Sequence, residues 1–274
     1  MIEYFQLLLG DQLEWGYPLL GFLCCIAISY VFLVKRYTQL KLRNMKPLLF
    51  LVGLGLLYIT AGSPLADISQ LSLSLHMTQM SVLYFLIPPI LFLGIPDQLF
   101  NHVSQVLKSN RISKLFFAPK IALYVFAALF FMYHLPFVIT ILSKSAPIHS
   151  GYIFVLFLLS LGMWWPIAAP DSNQRLCRSE MKRYAFLSGI ILMPACLWLI
   201  LLAVIDMGNS SSISQTTAPY CSPSQADSFS LLPFPFNTKF DQLMAGIVML
   251  GLHKTGLMVT FKLGDKFRPS APSS

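Results

Sequence analysis

Seven stretches of this chain are apolar for long enough, or nearly long enough, to cross a bilayer, and a membrane-embedded helical bundle is the architecture that accommodates them. A hydrocarbon core of about 30 Å takes roughly 20 mostly apolar residues per helix, and lipid offers no partner for a free N–H or C=O. The stretches are residues 17–34, 47–61, 72–93, 120–142, 150–167, 184–206 and 242–262, the second being the shortest. Of the 274 residues, 56% are hydrophobic and 11% charged, whereas a soluble domain carries about 25% charged residues. That balance excludes a soluble enzyme, and the abundance of bulky apolar residues excludes disorder. The expected fold is all-α, a polytopic bundle of seven transmembrane helices, with residues 1–274 forming one integral membrane domain and no room for a soluble one.

The net charge of +8 is an orientation signal. Lys35, Arg36, Lys41, Arg43 and Lys46 lie in one connection, Lys108, Arg111, Lys114 and Lys120 in another, Arg175, Arg178, Lys182 and Arg183 in a third, and Lys262, Lys266 and Arg268 follow the last span. The alternate connections keep only Lys144 and Lys239, and Lys254 falls within a span. Basic residues accumulate on the cytoplasmic side, so the N-terminus is expected outside and the C-terminus in the cytoplasm. No partner role for nucleic acid is expected; lipid is the surrounding phase.

The first residues carry Glu3, Asp11 and Glu14 and no basic group, so a cleaved signal peptide is not expected and the first span should stay. Residues 207–240, rich in Ser, Thr, Pro and Asn, read as a flexible external loop. The five cysteines lack CxxC spacing, only Cys221 lies clearly outside, and Cys24 and Cys25 are expected to pack within the first span. No external disulfide is expected.

Polar and soft side chains inside a span are costly and usually face the bundle interior. The third span reads SLHMTQMSVLYFLIPPILFLGIP. At about 100° per residue, His76, Met77 and Met80 fall within about 100° of one another, with Gln79 extending that arc by about 60°. Imidazole nitrogen and thioether sulfur on one face suit Cu(I) better than the oxygen-seeking cations. The competing reading has His76 hydrogen-bonded to a Gln or a backbone carbonyl while the methionines fill gaps. His134 lies in the outer half of the fourth span and His149 opens the fifth, so three of the five histidines are expected at one membrane depth. Met132 is about 200° from His134, and His134 is the preferred member of the two.

Met249 and His253 share a face of the seventh span at a deeper level, with Lys254 able to snorkel toward the cytoplasmic surface. His102 sits in a basic loop and is expected to be solvated. Asp67, Asp206 and Asp241 lie near outer helix ends, where a field for a cation, capping and solvation are all open readings. Pro88 and Pro89 remove two backbone donors and are expected to bend the third span. Trp164 and Trp165 are expected to anchor the fifth span at the cytoplasmic interface.

These segments resemble the CtaG family of bacterial cytochrome c oxidase assembly factors. The similar stretches are HMTQMSVLYFLIPPILFLGIP at 76–96, MYHLP at 132–136, the His149 region leading to MWWP at 163–166, and DQLMAGIVM at 241–249. The resemblance implies a multi-pass membrane protein needed for maturation of a haem-copper oxidase, delivering or inserting copper for its catalytic subunit. Many family members carry HMxQH, whereas this chain has Met80 in place of the second histidine, a donor that keeps Cu(I) and disfavours Cu(II).

The expected metal set is therefore His76, Met77, Met80, His134 and His149. Copper, as Cu(I), would be captured transiently at the outer face. It would then pass by ligand exchange to the oxidase catalytic subunit, with an extracytoplasmic copper donor upstream. No Ser/His/Asp, HExxH or paired-carboxylate pattern points to an enzyme. A copper transporter, a haem- or metal-dependent membrane enzyme and a metal-free assembly scaffold are the competing readings.

Overall fold

A computed structural model describes residues 15–41, 43–106, 119–142, 144–171, 174–205, 236 and 239–267. Among the described residues the regular structure is all helical. The helices are α1 (Tyr17–Tyr37), α2 (Met45–Ala61), the short α3 (Leu65–Ser69), α4 (Leu73–Gly94), α5 (Asp97–Val106), α6 (Pro119–Tyr133), α7 (Pro136–Leu142), α8 (Ala146–Ala168), α9 (Arg178–Ile205) and α10 (Lys239–Lys266). Five of them, α1, α4, α8, α9 and α10, are long and apolar enough to cross a membrane, and Met45–Ala61 and Lys120–Tyr133 are shorter apolar helices. The chain is a membrane protein built of apolar helices. The fourth stretch, expected as one span over 120–142, is two helices, because the chain turns at His134 and Leu135 ahead of Pro136. A residue before proline disfavours helical backbone, which locates the break.

Helix α4 is the most buried of the five long helices. It packs against α2, α8 and α10, while α9 lies along α10, α6 along α8, and α1 along α2 and α5. The main core joins Leu73, Met77, Met80 and Tyr84 of α4 to Phe126, Phe130 and Tyr133 of α6, Trp164 of α8 and Met249 of α10.

The two prolines do not break α4. Pro88 and Pro89 have no N–H to offer the carbonyls four residues back, Tyr84 and Phe85. The helix widens there into a π turn over Val82–Leu86, with the Ile87 N–H bonded to the Val82 carbonyl. Both freed carbonyls meet other helices. Trp164 Nε1 donates to the Tyr84 oxygen at 2.9 Å, and the Phe85 oxygen lies against Gly256 of α10, where a side chain would collide with it. Trp164 is only 1% exposed, so its expected place at the interface is wrong: a hydrogen-bond debt inside α4 draws the indole into the core. Trp165 is half-buried against Phe92 and Phe100. Trp164→Phe keeps the bulk and leaves the Tyr84 carbonyl in apolar surroundings. It is expected to lower unfolding stability by about 1–3 kcal/mol, read by thermal unfolding in detergent.

Two other expectations change. Cys24 and Cys25 are exposed on the outer surface of α1, because that helix presents most of its surface away from the bundle. Cys177 is also exposed and Cys196 is buried, and the four described cysteines are free thiols. His102 is on α5, half-buried and stacked 4.0 Å from the Tyr37 ring, where solvation was expected. The external loop expected over 207–240, with Cys221 and Asp206, lies almost wholly outside the described residues.

Candidate metal centre

Two residues of α4 and two at the end of α6 face each other across the core. The extended backbone of Ser72 begins α4, and His76 and Met77 follow in its first turns. Opposite them, Tyr133 ends α6 and His134 occupies the turn before α7. His76, Met77, Tyr133 and His134 are all buried. His149, in the first turn of α8, is half-buried.

The contacts form two neighbouring groups. His134 Nδ1 lies 2.6 Å from the Phe130 carbonyl oxygen, which only accepts, so Nδ1 carries the hydrogen and donates it. In the neutral ring Nε2 is then the lone-pair nitrogen, and it faces the Met77 sulfur at 3.2 Å. A thioether has no hydrogen to give. Two soft lone pairs are therefore directed at one small region, an arrangement that a soft cation turns from repulsion into ligation. The backbone bond to Phe130 fixes the His134 ring from behind, as an outer partner commonly does for a ligating histidine.

In the second group, one phenol joins two imidazoles. Tyr133 Oη is 3.0 Å from His76 Nε2 and 2.9 Å from His149 Nε2, and the Tyr133 and His149 rings are parallel to within 1° at 5.9 Å. Tyr133 is the residue that sequence reasoning missed. A phenol is not a ligand for Cu(I), and its adjacency to His134 was the only signal. Among the described residues no group of three or more His, Cys, Asp or Glu side chains is gathered to hold an ion. The donors that meet here are imidazole and thioether, with a phenol between.

The helix faces sort the remaining residues. Met80 is 3% exposed and in the same core as Met77, one turn further along α4. Gln79 turns the other way: its amide donates to the Thr60 carbonyl at 2.8 Å and accepts from the Ser69 hydroxyl at 2.6 Å. With Leu75, Thr78 and Val82 it lines a mostly apolar cavity of about 220 Å³ beside α2 and α3. Met132 is 44% exposed whereas His134 is fully buried. His253 and Met249 are buried on α10, with the His253 ring 5.0 Å from Phe85.

Asp241 is 1% exposed and sits over the start of α4. Its carboxylate accepts from the Leu73 N–H at 3.0 Å, the Ser74 N–H at 3.2 Å and the Ser72 hydroxyl at 2.7 Å, and also from the Ser74 hydroxyl. Of the readings open for this residue, capping is the observed one, and it comes from another helix. The first N–H groups of α4 lack partners in their own helix, and a carboxylate at that end also suits the helix dipole. By fixing the start of α4, Asp241 sets the position of His76 and Met77.

A model of the family described as cytochrome c oxidase caa3 assembly factor matches residues 28–262 of this chain. No curated protein and no solved structure matches it.

Proposed function

Because this chain belongs to the cytochrome c oxidase caa3 assembly factor family, we propose that it serves oxidase assembly by holding Cu(I) transiently and passing it to the catalytic subunit. Family membership makes it an oxidase assembly factor and points to a role without catalysis; the copper is inferred from the donors. The observation that carries the inference is the approach of His134 Nε2 to Met77 Sδ at 3.2 Å, next to His76 and His149, with Met80 one turn on. Two or three such donors suit Cu(I), which accepts low coordination numbers and soft ligands, and a site of neutral donors releases its ion by exchange. All seven apolar segments cross a bacterial cell membrane in this reading, with the N-terminus and the site on the outside and the C-terminus in the cytoplasm. Support comes from the charges: Lys35, Arg36 and Lys46 lie at helix ends opposite the site. Lipid, the oxidase catalytic subunit and an extracytoplasmic copper donor are the partners.

The test is the copper-to-haem ratio of the oxidase purified from cells lacking this chain, complemented with wild type, with His134→Ala or with Met77→Ala. Wild type is expected to restore full copper, and His134→Ala to leave the oxidase with about a tenth of it, on the scale of losing one good ligand. Full copper in the deletion strain overturns the proposal, and full copper with His134→Ala makes the chain a metal-free scaffold. A second reading, a copper transporter, draws on Met249 and His253 buried on α10. Copper uptake into vesicles containing the chain separates it from delivery.

A further inference from the structure

The geometry points to Tyr133 as a gate between two stations for the ion: an exchange station of His149 and His76, which its hydroxyl closes, and a holding station of His134 and Met77. The inference rests on the Cu(I) reading above and adds an order of events to it. His149 Nε2 and His76 Nε2 converge on one point, and the atom at that point is the Tyr133 oxygen, 2.9 and 3.0 Å away. A phenol gives one hydrogen, so one of these nitrogens accepts from Oη while the other carries a hydrogen and donates to it. The second becomes a ligand when that hydrogen moves to its own Nδ1, and nitrogen–metal bonds of about 2 Å need a closing of about 1 Å on each side. The phenol and the ion therefore compete for one place, and the two histidines take the ion as the phenol leaves.

Burial sets the direction of travel. Among the proposed donors His149 alone is half-buried, while His76, Met77, Met80 and His134 are buried. His149 is the donor that an ion meets first. The two buried histidines then differ in how they are held. The Nδ1 of His134 is fixed by the Phe130 carbonyl at 2.6 Å. The Nδ1 of His76 is buried with no hydrogen-bond partner among the described residues, so its ring is held by core packing and its bond to Tyr133 with no anchor from behind. A ring anchored from behind holds an ion in one geometry, and an unanchored ring turns with it. The two stations adjoin along the chain on each side, His76 beside Met77 and Tyr133 beside His134, so the ion moves between neighbouring pairs. Tyr133 can yield without unwinding a helix, because it ends α6 and the turn at His134 and Leu135 follows it.

The experiment uses the full chain in detergent under anaerobic reducing conditions, with Cu(I) supplied from a coloured chelator. Loading rate and equilibrium affinity are measured separately. Tyr133→Phe keeps the ring and its stacking and removes the hydroxyl; it is expected to load about tenfold faster than wild type with affinity within about threefold, the scale of losing the bonds that close the gate. His149→Gln, at a half-buried position, is expected to load about tenfold slower at similar affinity. His134→Ala is expected to lower affinity about a hundredfold, the upper range for losing an oriented ligand. The gate is overturned if Tyr133→Phe loads at the wild-type rate, or if His149→Gln loses as much affinity as His134→Ala without slowing. A wild-type chain that takes up no Cu(I) overturns the copper reading itself. A wild type that binds, with His134→Ala weakened and the other two variants unchanged in rate, overturns the gate alone. Should Tyr133→Phe not fold, the rate of His149→Gln decides by itself.

Discussion

Asp241→Ala is expected to lower the unfolding stability of the solubilised chain by about 2–5 kcal/mol, the cost of leaving buried neutral donors without their acceptor. The carboxylate accepts from two backbone N–H groups and two hydroxyls at the start of α4. The hydroxyls can rotate to other acceptors, but the Leu73 and Ser74 N–H groups are fixed by the helix and would be left buried and unpaired. Each such group costs about 1–3 kcal/mol. Asp241→Asn retains the shape and one acceptor oxygen, but the Leu73 and Ser74 N–H groups bond to different carboxylate oxygens, so either placement of the amide turns its NH2 toward a backbone donor and it is expected to recover less than half of the loss. The same substitutions loosen the turn that carries His76 and Met77. Cu(I) retention is therefore expected to fall together with the unfolding midpoint, measured on one sample by thermal unfolding and chelator competition. Unfolding of Asp241→Ala at the wild-type midpoint would show that α4 is capped by something else.

Gly256→Ala is expected to be damaging although it adds a single methyl group. A Cβ at residue 256 would collide with the Phe85 carbonyl oxygen and come within 3.2 Å of its carbon. Backbone in the middle of α4 cannot turn aside as a side chain can. Helix α10 must move outward instead, which separates it from the π turn and from Trp164, whose ring lies 3.4 Å from the same Cβ position. Overpacking of this kind costs about 1–3 kcal/mol and more where the obstacle is rigid, so a loss of about 3 kcal/mol or failure to accumulate in the membrane is expected. The control is on the same helix. A Cβ at Gly251 meets nothing within 4 Å, so Gly251→Ala is expected to be neutral or to gain up to about 1 kcal/mol from helix propensity. Equal unfolding midpoints for the two variants would remove the argument for a tight crossing of α4 and α10.

The sequence made the helical bundle and the donor face legible for one reason each. Apolar runs of span length admit only helices in lipid, and the 3.6-residue period alone places His76, Met77 and Met80 together. The period misled at Gln79, which looked like an extension of that arc and instead bonds to Thr60 and Ser69. It also said nothing of Trp164. A tryptophan near the end of an apolar helix looks like an interfacial anchor, and only the carbonyl freed by Pro88, on another helix, gives its N–H a partner inside.

Tyr133 and Asp241 mark the same limit. Neither belongs to a spacing pattern with His76, from which they stand 57 and 165 positions away in the chain, and each acts on α4 across a helix–helix contact. What the sequence determined by itself was local or one-dimensional: where helices run, which faces are soft, and at which end positive charge gathers. What the tertiary structure alone decided was which lone pairs and orphan carbonyls meet. Hydrogen-bond and ligand geometry depends on distances of about 3 Å between helices, and helical periodicity carries no information about its neighbours.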